Sequence, residues 1–108
     1  MFGMESAYMT QAPTRTEIDS ATGAMVLNFG TDWCGHCKAA APLVQQMLQG
    51  HGDVQHVKVE DGSGRELGRS FHVTLWPTLV FLRDGVEQAR VVRPRSVDVI
   101  REALAKIA

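Results

Sequence analysis

Residues 25–42 read MVLNFGTDWCGHCKAAAP, and this stretch decides the fold. With Ala24 its first half is an almost wholly apolar run, Ala24–Phe29, as expected of a strand covered on both faces. From Cys37 to Gln49, Ala40, Val44, Met47 and Leu48 recur at helical spacing, which predicts a helix that Pro42 should bend. Between strand and helix stands Trp33-Cys34-Gly35-His36-Cys37-Lys38. Two cysteines separated by two residues can close a small disulfide ring across the first turn of a helix. The free N–H groups and positive dipole end of that helix favour a thiolate on the first sulfur. The thiolate is the attacking species in disulfide exchange. Cys34 is therefore expected to be the nucleophile, and Cys37, one turn along and more buried, the resolving thiol.

Other uses of a cysteine pair fit less well. Half of a zinc ribbon needs a second CxxC, which the chain lacks. A c-type haem needs histidine directly after Cys37, where Lys38 stands. Iron–sulfur clusters need more than the two cysteines present. No metal and no bound cofactor are expected, because the electrons reside on the Cys34–Cys37 couple itself. His36, between the cysteines, either stabilises the Cys34 thiolate and tunes the couple or is an exposed loop histidine. About 30 mV of tuning corresponds to roughly 1.4 kcal/mol in a two-electron couple.

Outward from this motif, strand and helix alternate. Ala7–Thr10 reads as a weak first strand, and Thr14 to Glu17 has capping-box spacing, so a short helix is expected there. Val54–Val59 alternates as a strand, Arg65–Ser70 reads as a short helix, and Thr78–Arg83 and Gln88–Val92 flank the hairpin signal Asp84-Gly85. Ser96 can cap a last helix through Ile107, with Val97, Ile100, Leu104 and Ile107 in one stripe. The order β-α-β-α-β-α-β-β-α predicts an α/β protein, with a mixed central sheet covered by helices on both sides.

The composition, 44% hydrophobic and 21% charged over 108 residues, is that of one ordinary globular domain spanning 1–108, with residues 1–6 expected to be disordered. A net charge of −1 leaves no footprint for nucleic acid, and no run approaches the roughly 18 apolar residues of a membrane span. Arg83, Arg90, Arg93, Arg95 and Arg101 form either a basic patch or an ordinary solvated surface. Met1–Pro13 has neither a basic n-region nor an apolar h-region, so a reducing cytoplasm is the expected compartment, or the periplasm if an export signal has been trimmed away.

These residues resemble the thioredoxin family. The likeness is carried by MVLNFGTDWCGHCKAAAP, by Trp76-Pro77-Thr78 about forty residues on, and by TLVFLRDG with the closing hairpin and helix; the first 20 residues match poorly. The form CGHC is similar to the active site of protein disulfide isomerases, whereas typical thioredoxins have proline where His36 stands. The resemblance implies a thioredoxin fold, a mixed sheet of four or five strands flanked by helices. It implies that Pro77 is a cis-proline beside the cysteines, that the backbone of Trp76 pairs with an extended substrate, and that Trp33 forms another wall of the groove. A trans proline at a strand start is the plainer alternative for Pro77.

Three positions depart from the family pattern. Asn28 stands where thioredoxins usually have a buried aspartate that helps deprotonate the resolving cysteine, and it offers no charge to the lysine position matched by Lys58. Slower release of mixed disulfides is expected, unless water or another group takes the proton. Trp76 replaces a smaller residue and is either a cover or stacking surface at the site or a core aromatic. Arg93, in place of a glycine, could narrow the groove or favour acidic partners.

The implied function is a protein thiol–disulfide oxidoreductase, expected to act as a monomer on protein disulfides and to be recycled by a reductase or another thiol donor. The alternative is a thioredoxin-fold binding or assembly module whose cysteine pair cycles slowly.

Overall fold

A computed structural model describes residues 7–108; the segment 1–6, expected to be disordered, lies outside the described residues. The elements run α1 (Arg15–Ser20), β1 (Ala24–Gly30), α2 (Gly35–Leu48), β2 (Val54–Glu60), α3 (Glu66–Ser70), β3 (Thr78–Arg83), β4 (Val86–Val92) and α4 (Val97–Ala105). The strands form one mixed sheet in the order β2-β1-β3-β4. β1 pairs parallel with β2 and antiparallel with β3, which pairs antiparallel with β4.

Period-two alternation on β1 divides the core into two layers. Met25, Leu27 and Phe29 face the side covered by Ile18 of α1 and by Leu67 and Phe71 at α3. Ala24 and Val26 face the side covered by Val44 of α2 and by Ile100 and Leu104 of α4. Every residue of β1 is buried, which is why its sequence is nearly continuous in apolar side chains. Asn28 shares parity with Ala24 and Val26. Its amide therefore points under α2, toward the cysteines.

Local signals set the boundaries. Thr14 and Glu17 form a reciprocal capping box, worth about 1 kcal/mol. At the hairpin, Asp84 and Gly85 have φ of 52° and 80°, both positive as a two-residue type I′ turn requires. A Cβ on Gly85 would lie 2.2 Å from the Asp19 carbonyl oxygen, so only glycine fits there. Asp84 also ties the turn to the start of β1: its Oδ1 accepts from Gly23 N–H at 2.7 Å and its own N–H donates to Gly23 O at 2.9 Å.

Four expected elements differ by more than one residue. The strand read at Ala7–Thr10 is a single parallel bridge between Met9 and Val59, held by two backbone hydrogen bonds. The helix expected from Cys37 begins at Gly35, because Cys34 itself supplies the cap. β4 begins two residues before Gln88, directly after the tight turn. The last helix stops at Ala105; Ser96 is its N-cap residue but makes no side-chain capping bond, and Ile107 is buried just past its end.

Four of the five arginines have partners within the chain. Arg90 pairs with Glu87, Arg101 pairs with Asp98, and Arg83 and Arg93 donate to the carbonyls of Ile107 and Trp76. No helix among the described residues is long and apolar enough to cross a membrane.

Candidate active site

Both cysteines are free thiols at the junction of β1 and α2. Cys34 is the N-cap of α2 in extended conformation, and its Sγ accepts the Cys37 backbone N–H at 3.2 Å. The sulfur thus fills the place that serine or aspartate oxygen takes in ordinary caps. A negative charge on it would be held by that N–H and by the dipole of a 14-residue helix. Cys37 is the deeper of the two, 4% exposed against 8% for Cys34. Burial, reinforced by the hydrogen bond with Cys34, pushes the Cys37 thiol up to about 11. Gly35 and His36 lie exposed in the first turn, and a Cβ on Gly35 would meet nothing.

Behind Cys37 lies a polar chain that joins the segment before α1 to strands β1 and β2. The Tyr8 hydroxyl donates to Asn28 Oδ1 at 2.9 Å, and Asn28 Nδ2 lies 3.2 Å from His56 Nε2. Tyr8 packs with both cysteines, and its hydroxyl is a hydrogen-bond neighbour of the Cys37 thiol. Burial, followed by the neighbouring Cys37, drives the Tyr8 hydroxyl well above the usual tyrosine range. The Lys58 ammonium sits 4.4 Å from the centre of the Tyr8 ring, and the Tyr8 N–H donates to Asp32 Oδ1 at 3.0 Å. Desolvation of the imidazole, with a smaller contribution from Lys58, lowers His56 to about 4. Residue His56 has exposed surface on edge strand β2, but its Nε2 faces inward to Asn28. A cavity of about 30 Å³ is lined by Tyr8, Asn28, Cys37, His56, Lys58 and Pro77.

Trp33, Trp76, Pro77 and Arg93 lie close together beside the cysteines. The Trp76–Pro77 bond is cis, and Pro77 is buried. Trp76 is half-buried and packs against the cluster of Tyr8 and the cysteines, which places it at the site rather than in the main core. Its ring meets Trp33 edge-on, centroids 5.8 Å apart, and its Nε1 donates to Asp61 Oδ2 at 2.9 Å. Trp33 is 72% exposed. Arg93 donates from Nε to Trp76 O at 2.8 Å and from its backbone N–H to Pro77 O at 3.0 Å.

Three residues absent from the sequence-based set complete the site. Tyr8 comes from the segment least like the family. Gly30 is required because a Cβ there would lie 2.5 Å from Cys37 Sγ and 2.8 Å from the Tyr8 hydroxyl. Asp61 is buried under Trp76 and against Gly68. Only a glycine at a strand end beside the cysteines could have hinted at the second of these. Among the described residues, no group of three or more His, Cys, Asp or Glu side chains is placed to hold a metal ion.

The profile of the family described as Thioredoxin matches residues 5–106. Thioredoxin-2 of Saccharomyces cerevisiae is 30% identical over 101 residues, covering 90% of this chain and 96% of the yeast protein. The structure of thioredoxin 2 from Pseudomonas aeruginosa PAO1 in its reduced form superimposes with a TM-score of 0.86 at 55% identity, covering 96% of both chains. A protein disulfide-isomerase of Schizosaccharomyces pombe is 31% identical over 91 residues, which are 81% of this chain and 25% of that protein.

Proposed function

The chain belongs to the thioredoxin family and is a thiol–disulfide oxidoreductase, and from that premise we propose that Cys34 opens client protein disulfides while Cys37 releases them. The hydrogen bond from the Cys37 N–H to Cys34 Sγ carries this reading. It supports charge on the outer sulfur, while the inner one is kept protonated until needed. Reduced Cys34 attacks one client sulfur, the client's other sulfur leaves, and a mixed disulfide forms. Cys37 then attacks Cys34, the client departs reduced, and the protein is left as the Cys34–Cys37 disulfide. No bound cofactor is needed, since the two electrons pass from the dithiol to the client.

Trp33, Trp76 and Pro77 form the walls against which an extended client lies, with the Trp76 backbone as its pairing edge. His36 and Gly35 sit in the first turn and tune the couple. A reductase or another thiol donor restores the dithiol in a reducing cytoplasm, and a single copy of the chain suffices, because one copy supplies every residue named here.

Insulin reduction with dithiothreitol tests the reading. Wild type should accelerate precipitation and Cys34→Ser should not, whereas equal rates would favour a binding module. A Cys37→Ser variant should retain clients as reducible mixed disulfides.

A further inference from the structure

Resolution requires negative charge on Cys37, yet the buried position behind it holds an amide, Asn28, with no proton to exchange in the useful range. We infer that the hydroxyl of Tyr8, aimed by Asn28 and His56, is the hydrogen-bond donor that stabilises the Cys37 thiolate during resolution. This inference rests on the oxidoreductase reading above and names the group that serves its second step.

The chain of contacts has a direction. Asn28 Nδ2 can only donate, so His56 Nε2 must accept, which requires a neutral imidazole carrying its proton on Nδ1. Desolvation keeps His56 in that neutral state at physiological pH. The Asn28 amide is thereby held with Oδ1 toward Tyr8, where it accepts the hydroxyl. Gly30 leaves room for the hydroxyl and the Cys37 sulfur to crowd one point. Other charged groups facing Tyr8 are Lys58 over its ring, Asp32 on its backbone N–H and Cys34 across the cluster. The Lys58 cation supports both a stronger hydroxyl donor and an anionic sulfur. Ala40, Val44 and Pro77 line the same small space beside these polar groups and limit it to about 30 Å³, so the donor is held in place when charge develops on the sulfur.

The step balances. In the mixed disulfide, the Cys37 thiol gives its proton to water, for which the 30 Å³ cavity has room. The Tyr8 hydrogen swings from Asn28 Oδ1 to the sulfur. Cys37 Sγ bonds to Cys34 Sγ as the bond from Cys34 to the client sulfur breaks. The client sulfur leaves with the electron pair and takes up a proton from solvent. Tyr8 itself neither gains nor loses a proton.

Reaction with 5,5′-dithiobis(2-nitrobenzoate) separates the two attacks, since each releases one chromophore: the first on attack by Cys34, the second on attack by Cys37. Tyr8→Phe should leave the first phase within about twofold and slow the second by at least about tenfold, by analogy with loss of one donor to a developing anion. The double variant Tyr8→Phe/Asn28→Asp should recover the second phase, because a carboxylate can take the proton directly. Tyr8 is the one tyrosine in the chain, so biosynthetic 3-fluorotyrosine alters this hydroxyl alone without changing packing. Its more acidic hydroxyl should quicken the second phase, and its fluorine resonance should move when Cys37 is oxidised. A second phase unchanged by either replacement overturns the inference. Absence of both phases in the unaltered protein would instead overturn the oxidoreductase reading.

Discussion

Arg93 clamps Trp76 from the side chain and Pro77 from the backbone, so one residue holds two successive carbonyls at the edge where a client strand would pair. Its φ of 50° is a conformation that glycine adopts without strain. The clamp occupies the Trp76 carbonyl, so pairing there competes with the guanidinium. Arg93→Gly should lower KM for insulin about fivefold, the equivalent of one hydrogen bond of about 1 kcal/mol. Its rate with a small disulfide that lacks a peptide backbone should stay within about twofold. A fall in both, or in neither, would show that Arg93 does not cover the pairing edge.

Gly30 is the tightest point of the site. In Gly30→Ala the new methyl would meet Cys37 Sγ and the Tyr8 ring and hydroxyl, all buried and unable to retreat into solvent. Overpacking of this kind costs about 1–3 kcal/mol. Urea denaturation should show that loss with an unchanged m-value, together with altered Cys37 reactivity. Gly35→Ala, where a Cβ meets nothing, should show neither.

His56 makes stability depend on acid. Its folded value of about 4 lies below the ordinary 6.5, so between these limits the unfolded chain binds a proton that the native state does not. Stability should therefore fall as pH drops from about 6.5 to about 4 and level off with respect to this group below that. Thermal melts across this window should show the decline, and His56→Gln should flatten it. Solvent at the exposed edge of the residue limits the size of the effect.

Cys37 behaves in the opposite sense. Its thiol is raised to about 11 by burial and by the hydrogen bond with Cys34; in a Cys34→Ser background burial remains, so it should react slowly with iodoacetamide at neutral pH, with a midpoint above the ordinary 9. The native state retains a proton there that the unfolded chain loses, so stability should decline as pH rises from about 9 to about 11. A midpoint at the ordinary value would mean that the sulfur is solvated.

The parts legible in the chain were those whose cause is local. Thr14 and Glu17 are three residues apart, Asp84 and Gly85 are adjacent, and the apolar run of β1 reports two covered faces directly. Placement of Cys34 ahead of Cys37 at a helix start follows from the same short-range reasoning. The early start of α2 was obscured because a sulfur, not the usual oxygen, caps it. Tyr8 was illegible for a different reason. Its segment has no periodicity, it adds only one bridge to the sheet, and its partner Asn28 lies 20 residues away. Asp61 and Trp76 likewise meet only after β2 and β3 have been brought into one sheet. Position 28 could be singled out in the sequence, but the company it keeps could not.

Trp33 and Trp76 are the chain's two tryptophans, and they touch each other beside the sulfurs. Tryptophan emission from this protein consequently originates at the reacting pole. Opening or closing of the sulfur–sulfur bond, and arrival of a client, can be followed in real time by that intrinsic glow, with no dye attached and no residue replaced.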